Sequence, residues 1–276
     1  MNATEPLAGR VALVTGAGRR AGIGAAVAAR LRADGGRVML HSWSAHDAEQ
    51  PWGADPGGPD AVLAALGGQA TDLDHIQLDL ADPGSPAALV DRTIDRFGAL
   101  DLLVINHARS GDQDLAALTA TELDLCWAVN TRAPLLLLQA YAARFDDRRG
   151  AGRVLLFTSG QHLGPMPAAL PYIASKGALH QLTASLAEAL ADRGITVNCL
   201  NPGPVDTGYA DPEAHRRVAR AFPAGRWTTP AEIADLVAWL VGPHSQLITG
   251  QVLNAEAGFR RHLEAVPLVN DPTDRA

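Results

Sequence analysis

Short runs of aliphatic and β-branched residues alternate along the whole chain with segments whose apolar residues recur at three- and four-residue steps. That alternation confines the chain to a mainly parallel sheet covered by helices on both faces, because parallel neighbours need a long crossover and a helix is the usual one. Strands are predicted at Val11–Thr15, Arg37–His41, His75–Leu78, Leu100–Asn106, Arg153–Ser159, Thr196–Leu200 and Gln251–Asn254. Gly22–Asp34 reads as the first crossover helix, with Ile23, Val27 and Leu31 on one face and Gly35-Gly36 ending it. A later helix, Tyr172–Asp192, carries Leu179, Leu182, Leu186 and Leu190 on its buried face and stops at Gly194. The expected fold class is α/β, a single doubly wound parallel sheet of about seven strands with helices on both faces.

At 276 residues the chain suits one large domain. Residues 1–8 read as an extension, 9–258 as the catalytic domain and 259–276 as a polar, peripheral tail. Ser42–Asp60, rich in Gly, Pro and Asp, reads as a long surface loop. No apolar stretch approaches the ~18–20 residues that cross a bilayer, and Met1–Arg10 has no secretory pattern, so a cytoplasmic protein is expected. A formal net charge of −7 with no basic run excludes a nucleic-acid footprint and leaves small molecules or sister subunits as partners. Cys126 and Cys199 lie in apolar segments and read as inert buried thiols; no metal site is expected.

The first strand runs through Thr15-Gly16-Ala17-Gly18-Arg19-Arg20-Ala21-Gly22-Ile23-Gly24 into the first helix. Glycines there let the backbone turn sharply and approach a pyrophosphate, whose charge the free N–H groups of the helix start would meet. The spacing is not the standard dinucleotide fingerprint, so its place between strand and helix carries the reading. Farther on, Tyr172 and Lys176 stand four apart on one helix face. A phenol titrating near ~10 is a poor base at neutral pH, and an adjacent cation favours its ionised form. Lys176 is the only lysine in the chain, and an ammonium, unlike a guanidinium, can also lend its proton. Asn130 lies in a helical segment continuing through Pro134, which has no N–H for the Asn130 carbonyl. A kink there frees a backbone acceptor.

These segments together resemble the classical short-chain dehydrogenase/reductase family, a Rossmann-type fold. The resemblance spans Gly9 to about Gly258 and comprises Thr15-Gly16 with Gly22-Ile23-Gly24, Asp79-Leu80, Asn106, Asn130, Ser159, Tyr172-Ile-Ala-Ser-Lys176 and Asn201-Pro-Gly-Pro-Val-Asp-Thr207, in family order. It looks closest to the 3-oxoacyl-carrier-protein reductase branch. It implies Ser159 as the substrate's hydrogen-bond partner, Tyr172 as acid/base, Lys176 as tuner and Asn130 as proton relay. It also implies a nicotinamide cofactor held by Gly16, Gly18, Gly22, Ile23, Asp79, Leu80, Asn106, Tyr172, Lys176, Pro202, Gly203, Val205 and Thr207. Two departures stand out. The glycine loop is two residues longer than the common form, and Ile105-Asn106-His107-Ala108 stands for Asn-Asn-Ala-Gly, which places bulk near the nicotinamide ribose.

NADP(H) is the expected cofactor, with NAD(H) the alternative. The second strand ends Leu40-His41-Ser42-Trp43 with no carboxylate to grip a ribose 2′-hydroxyl, Ser42 can donate to a 2′-phosphate, and Arg19 and Arg20 bracket the loop. The same arginines are also suited to the shared pyrophosphate, or to solvent. His107 and His162 are expected at the mouth of the site as packed or solvated side chains, and Pro204–Phe222, with Tyr209 and His215, as a variable lid. The expected activity is hydride transfer between NADP(H) and a small carbonyl or secondary alcohol. A dehydratase or epimerase on the same fold and a cofactor-sensing regulator are the rivals. A homo-oligomer, tetramer or dimer, is expected.

Overall fold

A computed structural model describes residues 5–264. Strands β1 (Val11–Thr15), β2 (Arg37–Ser42), β3 (Leu73–Gln77), β4 (Leu102–Ile105), β5 (Gly152–Phe157), β6 (Ile195–Asn201) and β7 (Val252–Asn254) form one sheet in the order β3-β2-β1-β4-β5-β6-β7. Every pairing is parallel. The helices are α1 (Ile23–Ala33), α2 (Ser44–Glu49), α3 (Gly58–Ala65), α4 (Ser85–Phe97), α5 (Ala120–Trp127), α6 (Ala133–Arg144), α7 (Leu170–Leu190), α8 (Pro212–Ala221), α9 (Pro230–Val241) and α10 (Arg261–Glu264). A π-helical turn, Ala128–Arg132, joins α5 to α6. Among the described residues, no helix is long and apolar enough to cross a membrane.

Alternation along the strands sorts the core into two layers. Leu13, Leu103, Leu156 and Val197 point to one face, where Leu89 of α4, Leu137 of α6 and Leu179 of α7 cover them. Val14, Leu40, Val104 and Leu200 point to the other, under Val27 and Leu31 of α1 and Val237 of α9. The strand order reverses between β1 and β4, so the crossovers on either side diverge and open a crevice at the C-terminal ends of the strands.

Strand ends differ from expectation by at most two residues; Leu100 and Asp101, for instance, precede β4. The stretch 42–60 is not a single loop. It holds α2 and the first turn of α3, and α2 escaped notice because it buries none of its residues and so carries no apolar period. The start of the stretch read as a peripheral tail, residues 259–264, packs against the body, and the rest of it, like residues 1–4, lies outside the described residues. Phe259 and Leu263 pack with Val218, Phe222 and Trp227 beside α8.

The edge opposite the crevice is held by a buried carboxylate. Asp101 Oδ2 accepts the Val11 N–H at 2.8 Å, and the Arg149 guanidinium donates to Oδ1 and Oδ2 at 2.8 Å each. The Asp101 carbonyl accepts from the Tyr141 hydroxyl at 2.9 Å. One residue thereby ties β1, β4 and α6 together. Asp101→Ala leaves Arg149 and the Val11 N–H without that partner and is expected to cost about 2–3 kcal/mol, the lower end for a broken buried pair because Arg149 keeps access to water. A urea midpoint that falls at unchanged slope is the expected readout; an unmoved midpoint refutes the clamp.

Candidate active site

The turn between β1 and α1 is tight because its glycines are required. Gly16 has φ +73°, and a Cβ on it would lie 2.6 Å from the His107 Cα. A Cβ on Gly24 would collide with the Gly16 carbonyl. The N-cap of α1, Gly22, offers no side chain, and the first turn holds no acidic residue. By contrast, α9 carries a full Thr229/Glu232 capping box. The start of α1 is therefore left with backbone N–H groups and positive dipole for an external anion. A cavity of about 530 Å³ lies over it. Gly16, Gly18, Arg19, Gly22 and Ile23 line it from the turn, and Asp79, Leu80, Asn106 and Thr207 from the following strand ends. This donor set and this uncapped helix start suit the diphosphate of a dinucleotide.

Other expected contacts lie elsewhere. Arg20 turns away to Asp55, with Nε 2.9 Å from Oδ1, and does not border the cavity. Ser42 is buried, its hydroxyl 2.8 Å from His75 Nε2, and is likewise absent from the cavity wall. Arg19 stays at the cavity, where Nη2 donates to the Thr207 carbonyl at 2.8 Å. The strand end itself lacks an acid, as read from the sequence, but α2 folds Asp47 back over it. A Cβ on Gly18 would meet Asp47 Oδ2 at 3.1 Å and Ser42 Cβ at 3.2 Å. Burial holds the Asp47 carboxyl above its ordinary range, against the pull of Arg19. Sequence reading missed Asp47 because it took α2 for loop.

Ile105 is the last residue of β4 and 1% exposed, and Asn106 is the first polar residue after it. Asn106 Nδ2 donates to the carbonyls of Thr15 and Gly16 at 3.2 and 3.0 Å, which joins β4 to the glycine turn. His107 lines the first cavity, but its ring is packed inward. Its ring is buried, with Nε2 3.0 Å from the Val129 carbonyl and Nδ1 2.7 Å from Thr15 Oγ1. A carbonyl only accepts, so Nε2 carries the proton and Nδ1 accepts from the threonine. Burial drives the imidazole well below its ordinary value, with His41 and Lys176 adding to the effect, and it stays neutral. His162 packs against His180, ring centres 4.4 Å apart, off the cavity walls.

A second, larger cavity of about 1330 Å³ is bordered by Ser159 after β5, Tyr172 from α7, and Pro202, Gly203, Val205 and Thr207 after β6. It meets the first cavity at Arg19, Trp52 and Thr207. Burial pushes the Tyr172 hydroxyl up, and a hydrogen bond with Ser159 pulls it down. Lys176, 2% exposed, lies 6.0 Å from the centre of the Tyr172 ring and donates to the Phe157 carbonyl at 2.9 Å. Burial lowers it to about 8. The expected field of Lys176 on the phenol is thus offset by the cost of burying both groups.

Asn130 sits in the π turn, where the Ala133 N–H reaches the Ala128 carbonyl; the predicted kinked α-helix is a local widening instead. Its amide is fully used. Oδ1 accepts the Arg109 N–H at 2.7 Å, and Nδ2 donates to the Arg109 carbonyl and to Ser175 Oγ, both at 2.9 Å. Ser175 Oγ donates to the Tyr172 carbonyl at 2.7 Å, so the π turn is fastened to the first turns of α7. Arg109, missed in the sequence, is fixed by a two-pronged pair with Glu122 at 2.8 and 2.9 Å. Both cysteines are buried and burial pushes both thiols up, Cys126 to about 12 and Cys199 to about 11, as inert groups should behave. No group of metal-binding side chains occurs among the described residues.

The family model described as enoyl-(acyl carrier protein) reductase matches residues 16–260. An uncharacterized oxidoreductase, YjdA of Bacillus subtilis (strain 168), is 34% identical over 91% of this chain and 97% of its own length. A solved short-chain dehydrogenase/reductase variant from Serratia marcescens superposes with a TM-score of 0.80 at 33% identity, over 92% of this chain and 99% of that one. A short chain dehydrogenase from Burkholderia cenocepacia J2315, solved in complex with NADP, gives 0.78 at 33% identity, over 92% and 98%. With sequence, sheet order and crevice in agreement, the chain belongs to the classical short-chain dehydrogenase/reductase family and is an oxidoreductase of CH–OH/C=O groups.

Proposed function

We propose that the chain is an NADP(H)-dependent carbonyl reductase or secondary alcohol dehydrogenase working through Ser159, Tyr172, Lys176 and Asn130. The observation that carries this reading is Ser159 and Tyr172 side by side on the wall of one cavity with the buried Lys176 next to the Tyr172 ring. When bound, the nicotinamide supplies or takes the hydride. In reduction, Ser159 donates a hydrogen bond to the substrate carbonyl and holds it in place. Tyr172 passes its hydroxyl proton to the developing alkoxide. Lys176, titrating near 8, steadies the phenolate while charged and returns a proton to it. The Asn130 carbonyl, which Pro134 cannot serve, is an acceptor for a water that connects Lys176 to solvent.

Tyr172→Phe is expected to lower turnover on the order of 10²–10⁴-fold with cofactor affinity nearly unchanged. A variant keeping a third of the activity would place the acid elsewhere. In the oxidative direction the pair must accept a proton, so kcat/KM rises with pH and levels off above about 8. In Lys176→Met the rise moves to higher pH, because burial holds Tyr172 up with no ammonium to oppose it. An unmoved profile would remove Lys176 from the proton path. NADPH consumption matched to product separates this reading from a dehydratase or epimerase, which recycles its cofactor.

NADP(H) is the cofactor we assign, with Arg19 as the 2′-phosphate contact and Asp47 as the opposing charge. One charge-assisted contact corresponds to roughly tenfold or more in selectivity. Arg19→Ala is expected to reduce the NADPH:NADH ratio of kcat/KM by about that factor, and Asp47→Asn to raise it. Equal losses for both cofactors in Arg19→Ala would move that arginine to the shared diphosphate.

A homotetramer is the assembly we infer. The outer face of α7 exposes Ala174, Gln181, Ala184, Ser185, Glu188 and Ala189, and Trp127 on neighbouring α5 is 51% exposed, a surface of mostly small residues beside a large apolar side chain. Light scattering should return four subunit masses; one subunit mass at working concentration rejects the assembly.

A further inference from the structure

The wall of the substrate cavity beside Ser159 is built by the C-terminal segment. Arg261 pairs with Glu256, and Glu256 also accepts from Asn201 Nδ2 at 2.8 Å. Glycines make room for this pair. A Cβ on Gly160, the residue after Ser159, would run into the Arg261 guanidinium. One on Gly164 would lie 2.8 Å from Arg261 Cδ, and one on Gly203 3.0 Å from the Glu256 Cα. The guanidinium therefore has a seat next to the hydroxyl that receives the carbonyl.

The seat is short of acceptors. Arg261 Nε is buried with no hydrogen-bond partner. Arg260 borders the same cavity, is exposed, and has no side-chain partner among the described residues. The carboxylates on this wall are Asp112 and Glu256, and Glu256 is already held by Arg261 and Asn201. Leu163, Pro165 and Met166 form an apolar stretch on the same cavity. A cationic corner beside Ser159 next to an apolar wall suits a ligand with one anionic end and an apolar remainder.

We propose that the substrate is a carbonyl compound bearing a carboxylate, an oxo acid or its hydroxy acid, with the carboxylate taken by Arg260 and Arg261 while its carbonyl lies at Ser159 and Tyr172. This deepens the reductase reading and rests on it. A guanidinium presents paired N–H groups that match the two oxygens of a carboxylate, whereas an ester or amide accepts without charge.

The test is NADPH-dependent reduction of oxo acids, each paired with its methyl ester, for instance 4-oxopentanoate and 2-oxo-4-phenylbutanoate, by wild type, Arg260→Ala and Arg261→Met. The acid-to-ester ratio of kcat/KM is expected to be about tenfold or more in wild type and to fall by a similar factor in each variant, chiefly through KM for the acid. If Arg261→Met does not fold, Arg260→Ala carries the comparison. A wild type that reduces esters as well as acids overturns the carboxylate site and leaves the reductase reading standing. So does a ratio unchanged in both variants. A wild type that reduces neither class overturns both.

Discussion

Burying an ammonium is the constraint on which the rest of this site depends. Lys176 is 2% exposed and, among the described residues, has the Phe157 carbonyl as its one close acceptor, so its proton is held loosely enough to leave near pH 8. A group in that state is useful only if it cannot wander, and several bonds prevent it. Thr158 Oγ1 donates to the Lys176 carbonyl at 3.0 Å, and Thr131 Oγ1 to the neighbouring Ser175 carbonyl at 2.9 Å. The first turns of α7 are thus bound to the end of β5 on one side and to the π turn on the other. The extra residue of that turn, the Asn130 amide and the Arg109–Glu122 pair form one continuous support. Its members are polar, buried or half-buried, and mutually satisfied, which is the condition under which such a network rigidifies a site.

The same economy of partners explains the cofactor side. The fold provides an uncapped helix start at the point where strand order reverses, and the glycines allow a ligand's phosphates to reach it. Two side chains of opposite charge flank that common core. Arg19 and Asp47 face one another across Gly18, and burial raises the Asp47 carboxyl while Arg19 lowers it. A small change in either charge therefore alters the local potential strongly, because neither is fully solvated.

Substrate and cofactor cavities are joined by aromatic contacts. Trp52, from the segment between α2 and α3, meets Tyr209 edge-on at 6.1 Å, and Tyr209 meets Trp227 at 5.7 Å. His215 of α8 stacks on Trp227 at 5.2 Å, and its Nε2 lies 3.1 Å from Asp206 Oδ2. The predicted lid, Pro204–Phe222, is thereby anchored at both ends of its helix to aromatic neighbours, and the C-terminal residues Phe259 and Leu263 close against it. That segment thus rests on the same packing that shapes the crevice.

Local spacing carried much of the design. Period-two and period-3.6 patterns are properties of adjacent residues, so strands such as Val11–Thr15, the crossover helix from Ile23 and the shared helix face of Tyr172 and Lys176 were legible without coordinates. The glycine turn was legible for the same reason, since a strand, a turn and a helix start are consecutive. What the sequence could not express were contacts between distant segments and helices without an apolar stripe. Arg20 pairs with Asp55 across 35 residues, and His107 turns inward to Thr15 across 92. Asp47 reaches Gly18 only because α2, which buries nothing, folds back over the turn. Arg261 sits over Gly160 only because α10 packs beside α8 at the mouth of the crevice. Residue type and spacing determined the fold and the shared helix face of Tyr172 and Lys176; the placement of charges around them was decided by packing, because a side chain's partner depends on which surfaces the closed sheet brings together.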